Sequence, residues 1–212
     1  MSIVVDRYEL GPIGTNCYVL RAERGAAEAA VVDPSGDAAT IRLDLARMGA
    51  ACTAILVTHS HWDHILGLAD LAEGTGAPVY APAAELEVLE NPSAFYAGLG
   101  VALRGLTPTV LLEGGETIEV AGMSFEVVHV PGHSPGHLAY HADGALVSGD
   151  VLFAGSVGRT DLPSGDWGTL LASIRTLLDR YPEETVVYPG HGPQTTLADE
   201  RARNPFLAEL RA

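Results

Sequence analysis

The apolar residues fall into short alternating stretches and short continuous runs, each closed by Gly, Pro, Asp or Asn. Ile3 to Leu10 alternates and predicts a strand, Gly11-Pro12-Ile13-Gly14 a turn, and Asn16 to Leu20 a second strand. After an alanine-rich polar loop, Ala29 to Val32 predicts a third strand, ended by Asp33-Pro34-Ser35-Gly36. Asp37 is placed to cap a helix to about Met48, with Ile41, Leu45 and Met48 on one face and Gly49 as its stop. Ala54-Ile55-Leu56-Val57 has the branched composition of a buried strand, and Ile65 to Leu71 predicts a helix. Pro78 to Tyr80 predicts a strand and Ala83 to Glu90 a helix. The glycine-containing stretch from Asn91 to Thr109 reads as a loop region near the mouth of a site.

The second half begins with strands. Thr117 to Val120 and Ser124 to Val130 are joined at Ala121-Gly122, and Leu138 to His141 and Ala145 to Ser148 are joined through Asp143-Gly144; both are hairpin signals. Trp167 to Arg180 carries Leu170, Leu171, Ile174, Leu177 and Leu178 on one side, with Asp166 as its cap. Thr185 to Tyr188 is the last strand, and Thr196 to Arg203 a helix ended by Pro205. Each half runs strands then helix, which predicts two similar β layers with helices outside.

A chain of 212 residues has room for one sizeable core, so residues 1–212 are expected to form one domain. No apolar run approaches a membrane span. The first residues start in a strand pattern, without a basic region or cleavage site, and the expected location is cytoplasmic. The formal charge of −15 argues against a nucleic-acid partner, which needs a basic footprint. Cys17 and Cys52 lie in or beside apolar runs and read as small buried hydrophobes, so any metal would be held by nitrogen and oxygen.

Against this background, Thr58-His59-Ser60-His61-Trp62-Asp63-His64 stands out. It follows a buried strand, where open sheets place their sites, and mixed imidazole and carboxylate suits a divalent cation. Three later strands also end in His or Asp: Pro131-Gly132-His133, Gly149-Asp150 and Pro189-Gly190-His191. His59, His61, Asp63, His64, His133, Asp150 and His191 are therefore candidate ligands. One closed tetrahedral site needs four; this set suits two adjacent cations with a shared carboxylate and open positions for water. His129 and His141 lie inside strand patterns and read as core or surface residues, whereas His137 is placed to support a ligand.

The His-x-His-x-Asp-His spacing resembles the signature of the metallo-β-lactamase superfamily. The segment Pro131 to His137, with Ser148-Gly149-Asp150, Pro189-Gly190-His191-Gly192, Gly158-Arg159-Thr160-Asp161 and Asn204-Pro205-Phe206, resembles the short single-domain glyoxalase II-like proteins, the hydroxyacylglutathione hydrolases. The resemblance implies an α+β fold, a four-layer αββα sandwich. It implies one metal on His59, His61 and His133, another on Asp63, His64 and His191, and Asp150 bridging them. The metals expected are zinc, with iron or manganese as alternatives. Asp63 and Asp150 are the expected catalytic residues, and the implied activity is attack of a metal-bound hydroxide on a small-molecule thioester of the S-lactoylglutathione type. No counterpart of the C-terminal helical domain that contacts glutathione in two-domain relatives is expected. The family's lysine and tyrosine that hold the thiol carrier fall near Arg159 and Asp161, so Arg159 is expected either to contact an anionic part of the substrate or to pair with Asp161. The rival is a mononuclear iron persulfide dioxygenase on the same fold, using His59, His133 and Asp150.

Overall fold

The computed structural model describes residues 3–211. Strands β1 (Val4–Leu10), β2 (Thr15–Arg21), β3 (Glu28–Val32), β4 (Ala51–Leu56), β5 (Val79–Pro82) and β6 (Val110–Leu112) form one sheet in that spatial order. The β1–β2 and β2–β3 pairs are antiparallel; β3 to β6 run parallel. The second sheet holds β7 (Thr117–Val120), β8 (Met123–His129), β9 (Leu138–Ala142) and β10 (Ala145–Gly149). A small hairpin, β11 (Leu152–Phe153) with β12 (Ser156–Val157), follows, and β13 (Val186–Pro189) and β14 (Thr195–Thr196) then complete the second sheet beside β10.

The alternation of side chains along each strand builds the layers. In β2, Tyr18 and Leu20 face the second sheet, meeting Phe125, Val127, Leu138 and Tyr140, while Cys17 and Val19 face outward. The outward face packs on α1 (Ala38–Met48) and α2 (Leu68–Thr75) through Ile41, Leu45, Leu68 and Leu71. Val128, Val130, Ala139 and Leu146 of the second sheet likewise cover themselves with Leu170, Ile174, Leu177 and Leu178. These belong to a helix that is the fifth along the chain, after α3 (Leu86–Glu90) and α4 (Pro92–Tyr96): α5 (Trp167–Arg180), which precedes α6 (Leu197–Arg203). Fully burying each such side chain contributes about 1.5–3 kcal/mol. The result is the expected α+β arrangement of four layers, helix, sheet, sheet, helix.

The local signals act as read. Asp37 accepts a hydrogen bond from Ala39 N at 2.9 Å and Asp166 one from Thr169 N at 2.7 Å, capping α1 and α5. Both hairpins turn through two left-handed residues, Ala121 (φ 52°) with Gly122 (69°), and Asp143 (45°) with Gly144 (78°), the twist that joins antiparallel strands tightly.

Two expectations change, and two short strands are added. The helix after His64 starts at Leu68, not Ile65, because the intervening residues turn and Gly67 N is bound to Pro34 O at 2.7 Å. The stretch from Asn91 to Thr109 contains α4, with Pro92 in its first turn, and a 3-10 turn, Ala97–Leu99. The three-residue β6 and two-residue β14 are too short to show an alternation. Among the described residues, no helix is long and apolar enough to cross a membrane.

Candidate metal centre

All seven candidate ligands meet at one end of the sandwich, between the sheets. His59, His61, Asp63 and His64 follow β4; His133 follows β8, Asp150 follows β10 and His191 follows β13. Backbone geometry brings them inward. Gly132 has φ 128°, a conformation that side chains rarely adopt, and a Cβ there would strike the Leu170 backbone.

The rings are oriented by the groups behind them. Thr58 Oγ1 donates to Asp33 Oδ2 at 2.7 Å, so at 3.0 Å it accepts from His59 Nδ1–H. His64 Nδ1–H donates to Asp33 Oδ2 at 2.9 Å, and His133 Nδ1–H to the Arg159 carbonyl at 2.8 Å. In all three rings the protonated nitrogen points away and Nε2 turns its lone pair inward, the usual device for presenting an imidazole to a metal. Asp150 N donates to His137 Nε2 at 3.0 Å, and the His137 ring stacks on His59 with centroids 4.6 Å apart. His137 thus supports two candidate ligands, as its position suggested. His129 is exposed and His141 stacks on Tyr181 with centroids 4.0 Å apart, so neither belongs to the cluster.

Residue chemistry and spacing fit a cation. His61 Nδ1 lies 3.0 Å from His59 Nε2 and 2.8 Å from His133 Nε2, so three ring nitrogens crowd one point. His64 Nε2 is buried without a hydrogen bond, 3.3 Å from Asp150 Oδ1, which is buried and equally unbonded, and 3.5 Å from Asp63 Oδ2. His191 Nε2 stands 3.3 Å from Asp63 Oδ2 and 3.6 Å from Asp150 Oδ2. Asp150 Oδ2 is also 3.5 Å from His133 Nε2, so this carboxylate lies between the two groups. His59, His61 and His133 form one set able to hold an ion; Asp63, His64 and His191 form another; His59, His64 and Asp150 link them.

The protonation states agree. Burial and the neighbouring imidazoles hold His59 well below its ordinary value, and burial with His133 brings His61 to about 4. Burial alone would raise the Asp63 carboxyl, but His191, His64 and Thr15 outweigh it and bring it to about 2. Burial is likewise outweighed at Asp150, chiefly by His64, and its carboxyl falls further. Burial works to lower His64 too, yet Asp150 and Asp33 raise it well above the imidazole range. Without an ion, this pocket draws a proton onto His64; two carboxylates around a buried, unbonded Nε2 call for positive charge.

Asp33, Thr15, Asn16 and Glu85 also build the site, and no sequence motif marked them. Thr15 Oγ1 donates to Asp63 Oδ2 at 2.6 Å. Asn16 Nδ2 donates to the carbonyls of Pro189 and Gly192 at 2.8 and 2.9 Å, bracketing His191. The buried Glu85 accepts from Ser60 N at 2.5 Å and Gly136 N at 3.0 Å, and Ser134 Oγ donates to it as well, tying the His59–His64 loop to the loop that carries His133. Cys17 is buried and Cys52 half-buried, and both are free thiols away from the cluster.

The cluster forms the floor of a cleft of about 700 Å³, which Phe95, Tyr96 and Leu99 from the Asn91–Thr109 stretch help to wall. Arg159 also lines the cleft, held by Asp161 through two bonds of 2.7 Å.

The chain is similar throughout its length to known proteins. The probable metallo-hydrolase YqgX of Bacillus subtilis is 38% identical over 95% of this chain and 96% of its own. The hydroxyacylglutathione hydrolase GloC of Haemophilus influenzae is 34% identical over 84% of this chain and 87% of its own. Among solved structures, the BLEG-1 B3 metallo-beta-lactamase superposes with a TM-score of 0.90 at 40% identity, covering 97% of this chain and 100% of that one. TTHA1623, solved in a di-iron-bound form, gives 0.84 at 39% identity over 96% of this chain and 100% of its own. The family model of the metallo-beta-lactamase superfamily matches residues 10–191, which span every candidate ligand, and the chain belongs to that superfamily.

Proposed function

We propose that the protein is a binuclear metal-dependent hydrolase of thioesters of the S-lactoylglutathione type. His59, His61 and His133 would hold one divalent ion, Asp63, His64 and His191 the other, and Asp150 would bridge them. Zinc suits this nitrogen-rich set; the di-iron form of TTHA1623 makes iron the first alternative, and manganese the second. Ions held there would supply a water ionised near neutral pH and a Lewis acid for the scissile carbonyl. Asp63, kept ionised and fixed by Thr15, orients the attacking water. Arg159 and the wall of Phe95, Tyr96 and Leu99 bracket the substrate.

The observation that carries the thioester reading is that, with His61, His133 and His191 engaged as ligands, no free acid remains among the described residues lining the cleft. Asp63 and Asp150 are held ionised. Both oxygens of Glu85 accept hydrogen bonds already, and Tyr96 Oη donates to Ser60 O at 3.0 Å while burial raises its pKa. An amine leaving group needs a proton in the transition state. A thiolate, whose conjugate thiol has a pKa of about 8.5, departs without one.

The test is thiol release from S-lactoylglutathione by metal-loaded protein under anaerobic conditions. A β-lactam and glutathione persulfide, the latter in an oxygen electrode, are run in parallel. Anaerobic thiol release is expected. Iron-dependent oxygen uptake with no thiol release would replace the hydrolase with the dioxygenase. Turnover of the lactam alone would replace the thioester.

A further inference from the structure

The cleft is poor in charge able to hold an anionic carrier. All 12 cationic residues of the chain are arginines, with no lysine, against 27 Asp and Glu. Among the described residues lining the cleft, Arg159 is the one arginine, and Asp161 already occupies its guanidinium through two bonds of 2.7 Å. What the cleft does offer above the metal centre is apolar. Ile13, Phe95 and Leu99 are 55, 51 and 51% exposed at its rim, and Trp62, Val88 and Leu162 continue the surface inward. Exposed large apolar side chains gathered about a functional cleft mark a binding surface.

We infer that the substrate presents an uncharged, apolar arm to this wall: a thioester with an aliphatic acyl chain on an uncharged thiol. Within the thioester class proposed above, esters of an anionic peptide or nucleotide thiol are the poorer substrates. The inference rests on the hydrolase reading and specifies its substrate class. An alkyl chain removes the rim side chains from water, and each methylene buried in this way strengthens binding by about fourfold. A carboxylate or phosphate in the same place would lose water and find a cation already neutralised.

The test compares S-acyl-N-acetylcysteamines from acetyl to octanoyl with S-lactoylglutathione, using metal-loaded protein. The value of kcat/KM should climb with acyl length, by up to about fourfold per methylene, and the octanoyl ester should exceed S-lactoylglutathione. Joint substitution of Phe95→Ala and Leu99→Ala should flatten the climb. A binding measurement independent of turnover uses the thioethers S-octyl-N-acetylcysteamine and S-octylglutathione with metal-free protein. In a W167F background, Trp62 is the single reporter, and the uncharged thioether should bind at least tenfold tighter. No dependence on chain length, or preference for the glutathione compounds, would overturn the inference and leave the hydrolase reading standing. Failure to hydrolyse any thioester would overturn both.

Discussion

Gly190 approaches Asp150 so closely that a methyl group added to it would overlap Asp150 Oδ1 and His64 Cε1. Gly190 lies outside the left-handed region, so backbone strain is not at issue; the need for glycine here is purely one of space. Gly190→Ala should displace the Asp150 carboxylate from between the two ligand groups while leaving the sheets formed. Asp150→Ala should do the same by deletion. Elemental analysis after dialysis should find no more than one tightly held metal per chain in either variant, with most activity lost. Two tightly held metals in Asp150→Ala would show that it does not bridge.

Asp33 accepts from Thr58 N at 2.8 Å, from Thr58 Oγ1 at 2.7 Å and from His64 Nδ1 at 2.9 Å, so one carboxylate fixes two candidate ligands. Asparagine keeps the shape but places an amide where one of these donors must be received. Asp33→Asn should weaken metal affinity by about 10–100-fold, measured by competition with a chromogenic chelator. An unchanged affinity would show that the tautomers of His59 and His64 are set elsewhere.

Asp161 holds Arg159 in an exposed ion pair, with side-chain exposures of 61 and 69%. Exposed pairs contribute little to stability, so neither Arg159→Ala nor Asp161→Ala should move the melting temperature by more than about 2–4 °C. Their effects on an acidic thioester should be opposite. Asp161→Ala frees the guanidinium and should lower KM for S-lactoylglutathione several-fold; Arg159→Ala should raise it. A large fall in melting temperature with KM unchanged would make the pair structural.

His141 is held below its ordinary value of 6.5 by burial, which outweighs the opposing pull of Glu126. The unfolded chain therefore takes up this proton first, and stability is lost as pH falls from about 6.5 toward the folded value. His59 and His61 act in the same direction, so a variant must isolate the term. Phenylalanine keeps a ring against Tyr181 and cannot titrate. In urea titrations of metal-free protein, His141→Phe should lose less stability than wild type between pH 7 and pH 5. Identical losses would remove His141 from the account.

Four ligands are legible in the sequence because each stands just beyond an apolar run that cannot be anything but buried, and His61, Asp63 and His64 through their spacing behind the first of them. His59, His133, Asp150 and His191 thus stand just past the ends of strands before any pairing of strands is known. The layering is legible in the order of elements, strands then helix in each half, and the family resemblance supplies its four-layer αββα form; the alternation of Cys17, Tyr18, Val19 and Leu20 makes physical sense of it once both faces have partners. Asp33 and Glu85 were not legible. Each is an ordinary acidic residue in a turn or helix start, and its role arises from neighbours 25 to 51 positions away. The wall formed by α4 was missed for a different reason: five residues begun by a proline show no full period.

Asn16 bonds to the carbonyls of Pro189 and Gly192, residues 173 and 176 positions further along the chain, and its own backbone N–H meets Gly190 O at 2.7 Å. The second strand of the protein is thereby completed by nearly the last one. During synthesis, the N-terminal sheet must wait with Asn16 unsatisfied until β13 has left the ribosome, so closure of this end is among the latest events of folding. A nascent chain stopped short of Pro189 would hold six of the seven candidate ligands and lack His191. Capture of an ion by Asp63, His64 and His191 is then expected to follow chain completion, whereas the His59, His61 and His133 set is available earlier.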